Sequence, residues 1–221
     1  MLFRSLTPQE RYGLAQAMLA DTIRAIQRVR NAERIFVITN YQPVLDVAEE
    51  NGWEILREGR QISESDSVDA GSKICEERGV RALLRLPLDL PLIQPDDIDE
   101  LLAIDCKSRS MTIVPSRDGT GTNALLRTPP TLFPSHFGEG SFAKHLAEAA
   151  HARAEVLIRR NPRLEMDVDD ESDLREQHQR ERNRHRKKAD VAKRSRADLG
   201  RRRRVRGGDG TRVQMDRRPP D

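Results

Sequence analysis

Four short segments carry residue types that could hold a cation or an anion. In LPLDLPLI, Asp89 stands between Pro87 and Pro91 just after an apolar run, on a stretch too stiff for ordinary helix. A lone carboxylate at a strand end suits Mg²⁺, which takes one or two carboxylates, several waters and phosphate oxygens; it also suits a simple turn. SRDGTGTNALL (116 to 126) places Gly119, Thr120, Gly121 and Thr122 between two apolar runs. Glycine permits positive φ and close backbone approach, and threonine adds hydroxyls, so the loop reads as an anion cradle or as a plain hairpin turn. FGEGSFAKHL puts Ser141, three residues after Gly138, where a helix N-cap belongs. Free amides and a partial positive charge there attract phosphate or carboxylate, unless Ser141 merely caps its own helix. Lys144 and His145 could add charge, but their placement in the first turns favours solvated surface residues. In MDVDDESDL, Asp167 and Asp169 alternate, so only one can face a site. Asp169 is either a second metal ligand or a cap for the last helix.

The elements that must position these residues are legible in periodicity and punctuation. Thr7-Pro8-Gln9-Glu10 has the form of a capping box with proline at the first helical position. Ala15, Met18, Leu19, Ile23, Ile26 and Val29 then recur at helical spacing, predicting a helix to about Arg30. RIFVIT (34 to 39) and WEIL (53 to 56) read as strands around a helix over 43 to 52, and SVDAGSKICEERG as a helix closed by glycine. A strand in ALLRL, a helix from Pro95, strands in MTIVPS and NALL, a helix over SFAKHLAEAAHA, a strand in AEVLIRR and a helix in DESDLREQ complete the order. Alternating strands and helices with near-continuous apolar strands predict an α/β fold with a mainly parallel sheet covered on both faces. Ligands in such folds gather beyond the carboxyl ends of the strands, where the four segments fall.

Charge divides the chain. From residue 175 onward there are 18 basic and 7 acidic residues, leaving 21 basic against 29 acidic before it. The overall +3 therefore conceals an acidic body and a basic tail. The tail, 176 to 221, has almost no large apolar residues and is expected to be disordered. Its RRRR and RNRHRKK runs would bind nucleic acid non-specifically, but no aromatic residue is interleaved for base stacking, and no specific nucleic-acid partner is expected. Cys75 and Cys106 lack metal-site spacing and read as reduced, buried side chains. No apolar run reaches membrane-spanning length, so a cytoplasmic protein with no membrane partner is expected.

Taken together, LPLDLPLI, VPSRDGTGTNALL, FGEGSFAKHLAEA and DVDDESDL occur in the order found in a known family. The chain resembles, over residues 6 to 175, the guanylyltransferases of coenzyme F-420 biosynthesis, whose fold is like that of the molybdenum-cofactor guanylyltransferases. The resemblance implies a three-layer α/β/α nucleotidyltransferase domain over 1 to 175. It implies condensation of GTP with a phosphorylated three-carbon acid, 2-phospho-L-lactate, phosphoenolpyruvate or 3-phosphoglycerate, releasing pyrophosphate. Thr122, Gly138 and Ser141 then match positions holding the acid, with Gly119 and Gly121 beside them. Asp89 and Asp169 match the Mg²⁺ ligands, and no residue serves as a covalent nucleophile. Ser67, Val68, Asp69 and Ser72 fall in the nucleotide-sensing region, where many relatives have an L-N-x-A type segment; an ordinary helix N-terminus is the alternative. The family opens with a strand and a loop of the form LxPLKxxxxAKxRL, after which this sequence starts, with Arg4 as the last remnant. A misassigned start and a frame change before the tail would account for both ends, and a nearly inactive molecule is the resulting expectation. A homodimer stays open. A basic-tailed nucleic-acid-binding protein and another molybdenum-cofactor-like or sugar-phosphate nucleotidyltransferase are the competing readings.

Overall fold

The computed structural model describes residues 6–57, 62–105 and 108–166. Helix α1 (Pro8–Ile26) opens on the expected capping box. The Thr7 hydroxyl accepts from the Glu10 N–H, and the Glu10 carboxylate accepts from the Thr7 N–H at 2.8 Å. There follow β1 (Phe36–Ile38), α2 (Gln42–Glu50), β2 (Glu54–Leu56), α3 (Glu64–Glu77), β3 (Leu83–Arg85), α4 (Pro95–Leu102), β4 (Ser110–Pro115), β5 (Thr122–Thr128), α5 (Ser141–His151) and β6 (Glu155–Ile158). Several boundaries differ from expectation. Helix α1 ends at Ile26, a turn short of Arg30, whose N–H donates instead to the Asp99 carboxylate at 2.9 Å. Helix α3 begins earlier, because Ser63 accepts from the Asp66 N–H and caps it. The N-cap of α5 is Gly140 in the left-handed region (φ 68°), which puts Ser141 inside the helix.

The strands form two sheets. β1 and β2 pair in parallel, and β3-β5-β4-β6 form the larger sheet. β5 is antiparallel to both β3 and β4, while β6 is parallel to β4. Hence β3, β4 and β6 share one direction, and β5 alone is reversed. The reversal follows from the short glycine-containing connection, which can only return the chain antiparallel to β4.

Side-chain alternation assigns the faces. Met111, Ile113 and Leu125 pack with Leu132, Phe133, Ala149 and the α5 residues Phe142 and Leu146. Val114 and Ala124 point the other way, into a core with Ala25 of α1 and Ile98 and Leu101 of α4. The larger sheet is therefore covered on both faces, as three layers require. Cys75 is buried with a free thiol whose pKa burial pushes up, as expected of a reduced core cysteine; Cys106, the last helix and the tail lie outside the described residues. Among the described residues no helix is long and apolar enough to cross a membrane.

Candidate active site

The site is assembled by an irregularity in β5. Pro115 pairs with Thr122 but Val114 pairs with Ala124, so Asn123 is an extra residue in the ladder. A bulge of this kind re-aims its neighbours. Asn123 donates to the Leu164 carbonyl at 3.0 Å, on the side of α1 and α4, whereas Thr122 meets His145 of α5 on the opposite face, Oγ1 to Nδ1 3.1 Å. Without the extra residue, strict alternation would put Thr122 on the same face as Ala124 and out of reach of α5.

Around His145 the acid-binding candidates converge. His145 is fully buried, four residues after Ser141 on one face of α5, and Ser141 is buried beside it. The Ser141 N–H donates to the Gly138 carbonyl at 3.1 Å, and Gly138 adopts φ 99°, a conformation glycine alone takes without strain. The Phe142 N–H donates to the Thr120 carbonyl at 3.1 Å, fastening the hairpin turn to the start of α5. Burial first, then Arg127, His136, Arg85 and Lys144, hold the His145 pKa down to about 3. The expected solvated histidine is thus a neutral, buried hydrogen-bonding residue. The helix pattern could not reveal this, because the polar partner comes from β5.

The turn itself corrects one expectation. The Gly119 N–H donates to the Ser116 carbonyl, the Thr120 N–H to Asp118, and the Gly121 N–H to the Ser116 hydroxyl at 2.7 Å. Asp118, bonded by the Ser116 hydroxyl and by Thr120, is held at a pKa of about 2. The amides of Gly119 and Gly121 are consumed within a carboxylate-centred hairpin, so these glycines build the turn rather than cradle an anion. Any added Cβ on Gly121 would lie 2.9 Å from the Ser116 hydroxyl, which explains glycine there.

Ser67, Asp69 and Ser72 are also reassigned. Ser65, Asp69, Ser72 and Glu76 form a stripe along α3 at helical spacing. Ser65 accepts from the Phe137 N–H, Asp69 accepts from the Ser135 N–H, and Glu76 accepts from the Thr131 N–H at 3.0 Å. Ser72 accepts from the buried Arg127 guanidinium at 2.8 Å, which also donates to the Phe133 carbonyl at 2.7 Å. The stripe therefore stitches residues 131 to 137, the approach to Gly138, onto α3, and Arg127 ties both to β5. Ser72 is buried and engaged in this network, Asp69 is committed to it, and Ser67 bonds back to the Ser63 carbonyl within its own helix.

Asp89 reaches the cluster through Arg85, a residue that sequence reasoning did not single out. Arg85 pairs with Glu64, lies 4.0 Å over the Phe137 ring and points one N–H at the Thr122 carbonyl at 3.5 Å. Burial lowers its pKa to about 10. Burial likewise raises the Asp89 pKa, with the Arg85 charge opposing. Thr122, Gly138 and Ser141 are thus linked through Arg85, Phe137 and His145 on one side of the sheet, with Asp89 near enough to Arg85 for their charges to interact. Asp169 lies outside the described residues, although the chain leading to it is anchored beside Asn123 at Leu164. That anchor is reinforced by Asp97, which accepts from Arg163 Nε and Asn161 Nδ2, both at 2.7 Å.

Asp89 as a residue remains exposed, with the Arg85 charge opposing the rise in its pKa, so a divalent cation could reach its carboxylate. Among the described residues no three His, Cys, Asp or Glu side chains cluster, so a cation at Asp89 would take most of its shell from phosphates and water, as Mg²⁺ accepts.

Comparison with known proteins identifies the family and the fold. Residues 1–190 match the family described as "Guanylyl transferase CofC like". A phosphoenolpyruvate guanylyltransferase of Rubrobacter xylanophilus is 35% identical over 169 residues, 76% of this chain and 82% of the relative. A 2-phospho-L-lactate guanylyltransferase of Methanothermobacter thermautotrophicus is 32% identical over 172 residues, 78% of this chain and 74% of the relative. In structure, a protein of Desulfovibrio desulfuricans G20 assigned as a nucleotide-diphospho-sugar transferase superposes with a TM-score of 0.54 at 12% identity, covering 66% of each chain. That last likeness shows the fold, and the sequence matches show the family: this chain belongs to the CofC-like guanylyltransferases.

Proposed function

We propose that this protein joins the guanylyl group of GTP to the phosphate of a phosphorylated three-carbon acid. A phosphate oxygen of the acid attacks the α-phosphorus, the new P–O bond forms as the α–β anhydride bond breaks, and pyrophosphate leaves. The observation that carries this reading is the convergence of Thr122, Gly138 and Ser141 on buried His145, next to Arg85 and Asp89. The attacking phosphate is already ionised at pH 7, so no protein nucleophile or base is required, and positioning with charge stabilisation supplies the catalysis.

In this scheme Thr122 and Ser141 hold the acid by their hydroxyls, and the positive-φ turn at Gly138 lets the backbone come close to it. Arg85 adds positive charge in a buried setting where charge is felt strongly. Asp89, with Asp169, would hold Mg²⁺, which when bound neutralises phosphate charge and orients the triphosphate. Phosphoenolpyruvate and 2-phospho-L-lactate are the acids of the relatives above, and the residues of this site suit the shared pattern of one carboxylate and one phosphate.

The test is calorimetric titration of each acid with GTP and Mg²⁺, alongside pyrophosphate release. Thr122→Val and Ser141→Ala should each weaken the acid at least tenfold, and Asp89→Asn should remove the Mg²⁺ dependence. Acid binding indifferent to Thr122 and Ser141 would sink the assignment.

A further inference from the structure

Arg85 breaks the pattern of its own strand. β3 reads Leu83-Leu84-Arg85 and pairs with Arg127, Leu126 and Leu125 of β5 in that order. Leu84 packs with the core that includes Ala25 of α1 and Ile98 of α4, so Arg85, opposite Leu125, points to the α5 face, where Met111, Ile113 and Leu125 form an apolar layer. A strand covered on both faces calls for an apolar side chain there. A guanidinium stands there instead, with only 14% of the side chain exposed, over the Phe137 ring and beside the Thr122 carbonyl.

The charge of Arg85 is less settled than that of the other paired arginines. Arg34, bonded by Glu54, and Arg163, bonded by Asp97, are held above the ordinary guanidinium pKa by those partners. Burial lowers Arg127, whose N–H groups are spent on the Phe133 carbonyl and Ser72. Burial lowers Arg85 to about 10, although Glu64 reaches it. Among the described residues its other hydrogen-bond partner is the Thr122 carbonyl, at a long 3.5 Å, for a fork that carries five N–H donors. Glu64 is itself loosely held. It is the first residue of α3 after the Ser63 cap and 51% exposed, so it can turn to water at a helix N-terminus, where a carboxylate is favoured.

We propose that Arg85 reads the carboxylate of the phosphorylated acid, and that Glu64 occupies the place of that carboxylate until the acid displaces it. This role rests on the acid site proposed above and adds to it the group by which an acid is told from a phosphorylated alcohol. The carboxylate, rather than the phosphate, falls to Arg85 for two reasons. Its resting partner is already a carboxylate, and exchanging one for another leaves the charge of a buried site unchanged, whereas a phosphate would bring nearly two negative charges. A planar fork also matches a carboxylate edge on, and stacking on Phe137 fixes its plane. Phe137 in turn borders His145, ring centroids 5.0 Å apart, and His145 bonds Thr122. The fork and the hydroxyl thus stand on one cluster, placed to hold the two ends of a small molecule.

The experiment compares 2-phospho-L-lactate with isopropyl phosphate, the same skeleton with a methyl group in place of the carboxylate. Both are titrated calorimetrically into the full chain with Mg²⁺ and a GTP analogue whose α–β bridge is methylene. The wild type should bind the acid at least about tenfold more tightly, as charged hydrogen bonds to one carboxylate imply. Arg85→Leu, which restores the apolar strand pattern, should bring the two ligands within about twofold of each other, with Arg85→Lys between. Glu64→Gln should tighten the acid about threefold and leave isopropyl phosphate within about twofold, because only the carboxylate competes with Glu64. Each variant is judged by the ratio of two ligands, which a partial loss of fold does not move. Arg85→Leu weakening both ligands by one factor overturns the carboxylate role. Glu64→Gln weakening the acid overturns displacement and makes Glu64 a support for Arg85. A wild type that binds both ligands equally overturns the role of Arg85 while the acid site stands, and one that binds neither overturns the acid site and this role together.

Discussion

His145 donates to Thr122. Its Nε2 accepts the main-chain N–H of His136 at 3.0 Å, which leaves the proton of the neutral ring on Nδ1, 3.1 Å from the Thr122 hydroxyl. The hydroxyl oxygen is thereby an acceptor within the protein, and its own hydrogen is left for a ligand. Thr122 thus becomes a donor suited to an anionic oxygen. In the proposed reaction His145 would position Thr122 rather than touch substrate.

Replacing His145 by Ala should therefore raise the KM for the acid about fivefold, in keeping with about 1 kcal/mol for one hydrogen bond, and leave the KM for GTP within about twofold. His145→Asn, whose amide nitrogen falls near the Nδ1 position, should recover part of the loss. Steady-state kinetics with each substrate varied in turn decides this. An equal change in both KM values would mean a general collapse of the fold instead.

The same burial makes stability depend on pH. His145 titrates near its ordinary value when unfolded but only at about 3 when folded, so the unfolded chain binds more protons between these values. Its contribution is complete above about pH 6.5 and declines as the pH falls toward 3, with a slope of at most about 1.4 kcal/mol per pH unit. Urea unfolding at pH 7.5 and 5 should show the loss in the wild type and a smaller loss in His145→Gln.

Arg127 should be the least replaceable residue of the α3 stripe. Only 2% of its side chain is exposed, it bonds the Phe133 carbonyl and Ser72, and it lies 3.7 Å from Asp69. Arg127→Met leaves that carbonyl and a carboxylate uncompensated and should cost about 3–5 kcal/mol. The connection over residues 129 to 140 should then become sensitive to limited proteolysis, while the hairpin at 116 to 121, which is bonded internally, should not.

Asp97 should behave as the anchor of the chain end that approaches the site. Burial pushes its pKa up, but the Arg163 guanidinium, the Asn161 amide and the Gln94 N–H together hold it below the usual carboxylate range. Asp97→Asn should destabilise by about 2 kcal/mol, as expected for loss of charged hydrogen bonds, and the defect should appear in thermal unfolding. Arg163→Ala in the Asp97→Asn background should cost little more, because the two changes remove one interaction.

The sequence alone determined the order and type of the elements and the set of loops from which a site could be drawn. Capping boxes, proline at helix starts, glycine at helix ends and apolar periodicity act within a few residues, so α1, α4 and the strands around them were legible near their observed limits. The family was legible too, because its loop motifs are contiguous. Tertiary structure decided what those loops do. Asn123 as an extra residue in β5 turns Thr122 toward α5, and nothing in TNALL announces it, because a bulge is defined by the partner strand. Gly119 and Gly121 look the same in sequence whether their amides face a ligand or the turn itself; only Ser116, accepting from both across the turn, settles the matter. His145 reads as one more polar residue on a helix until β5 and His136 close over it. Asp69 and Ser72 likewise took their role from Arg127, 55 to 58 positions away in the chain, and contacts at that separation leave no periodic trace.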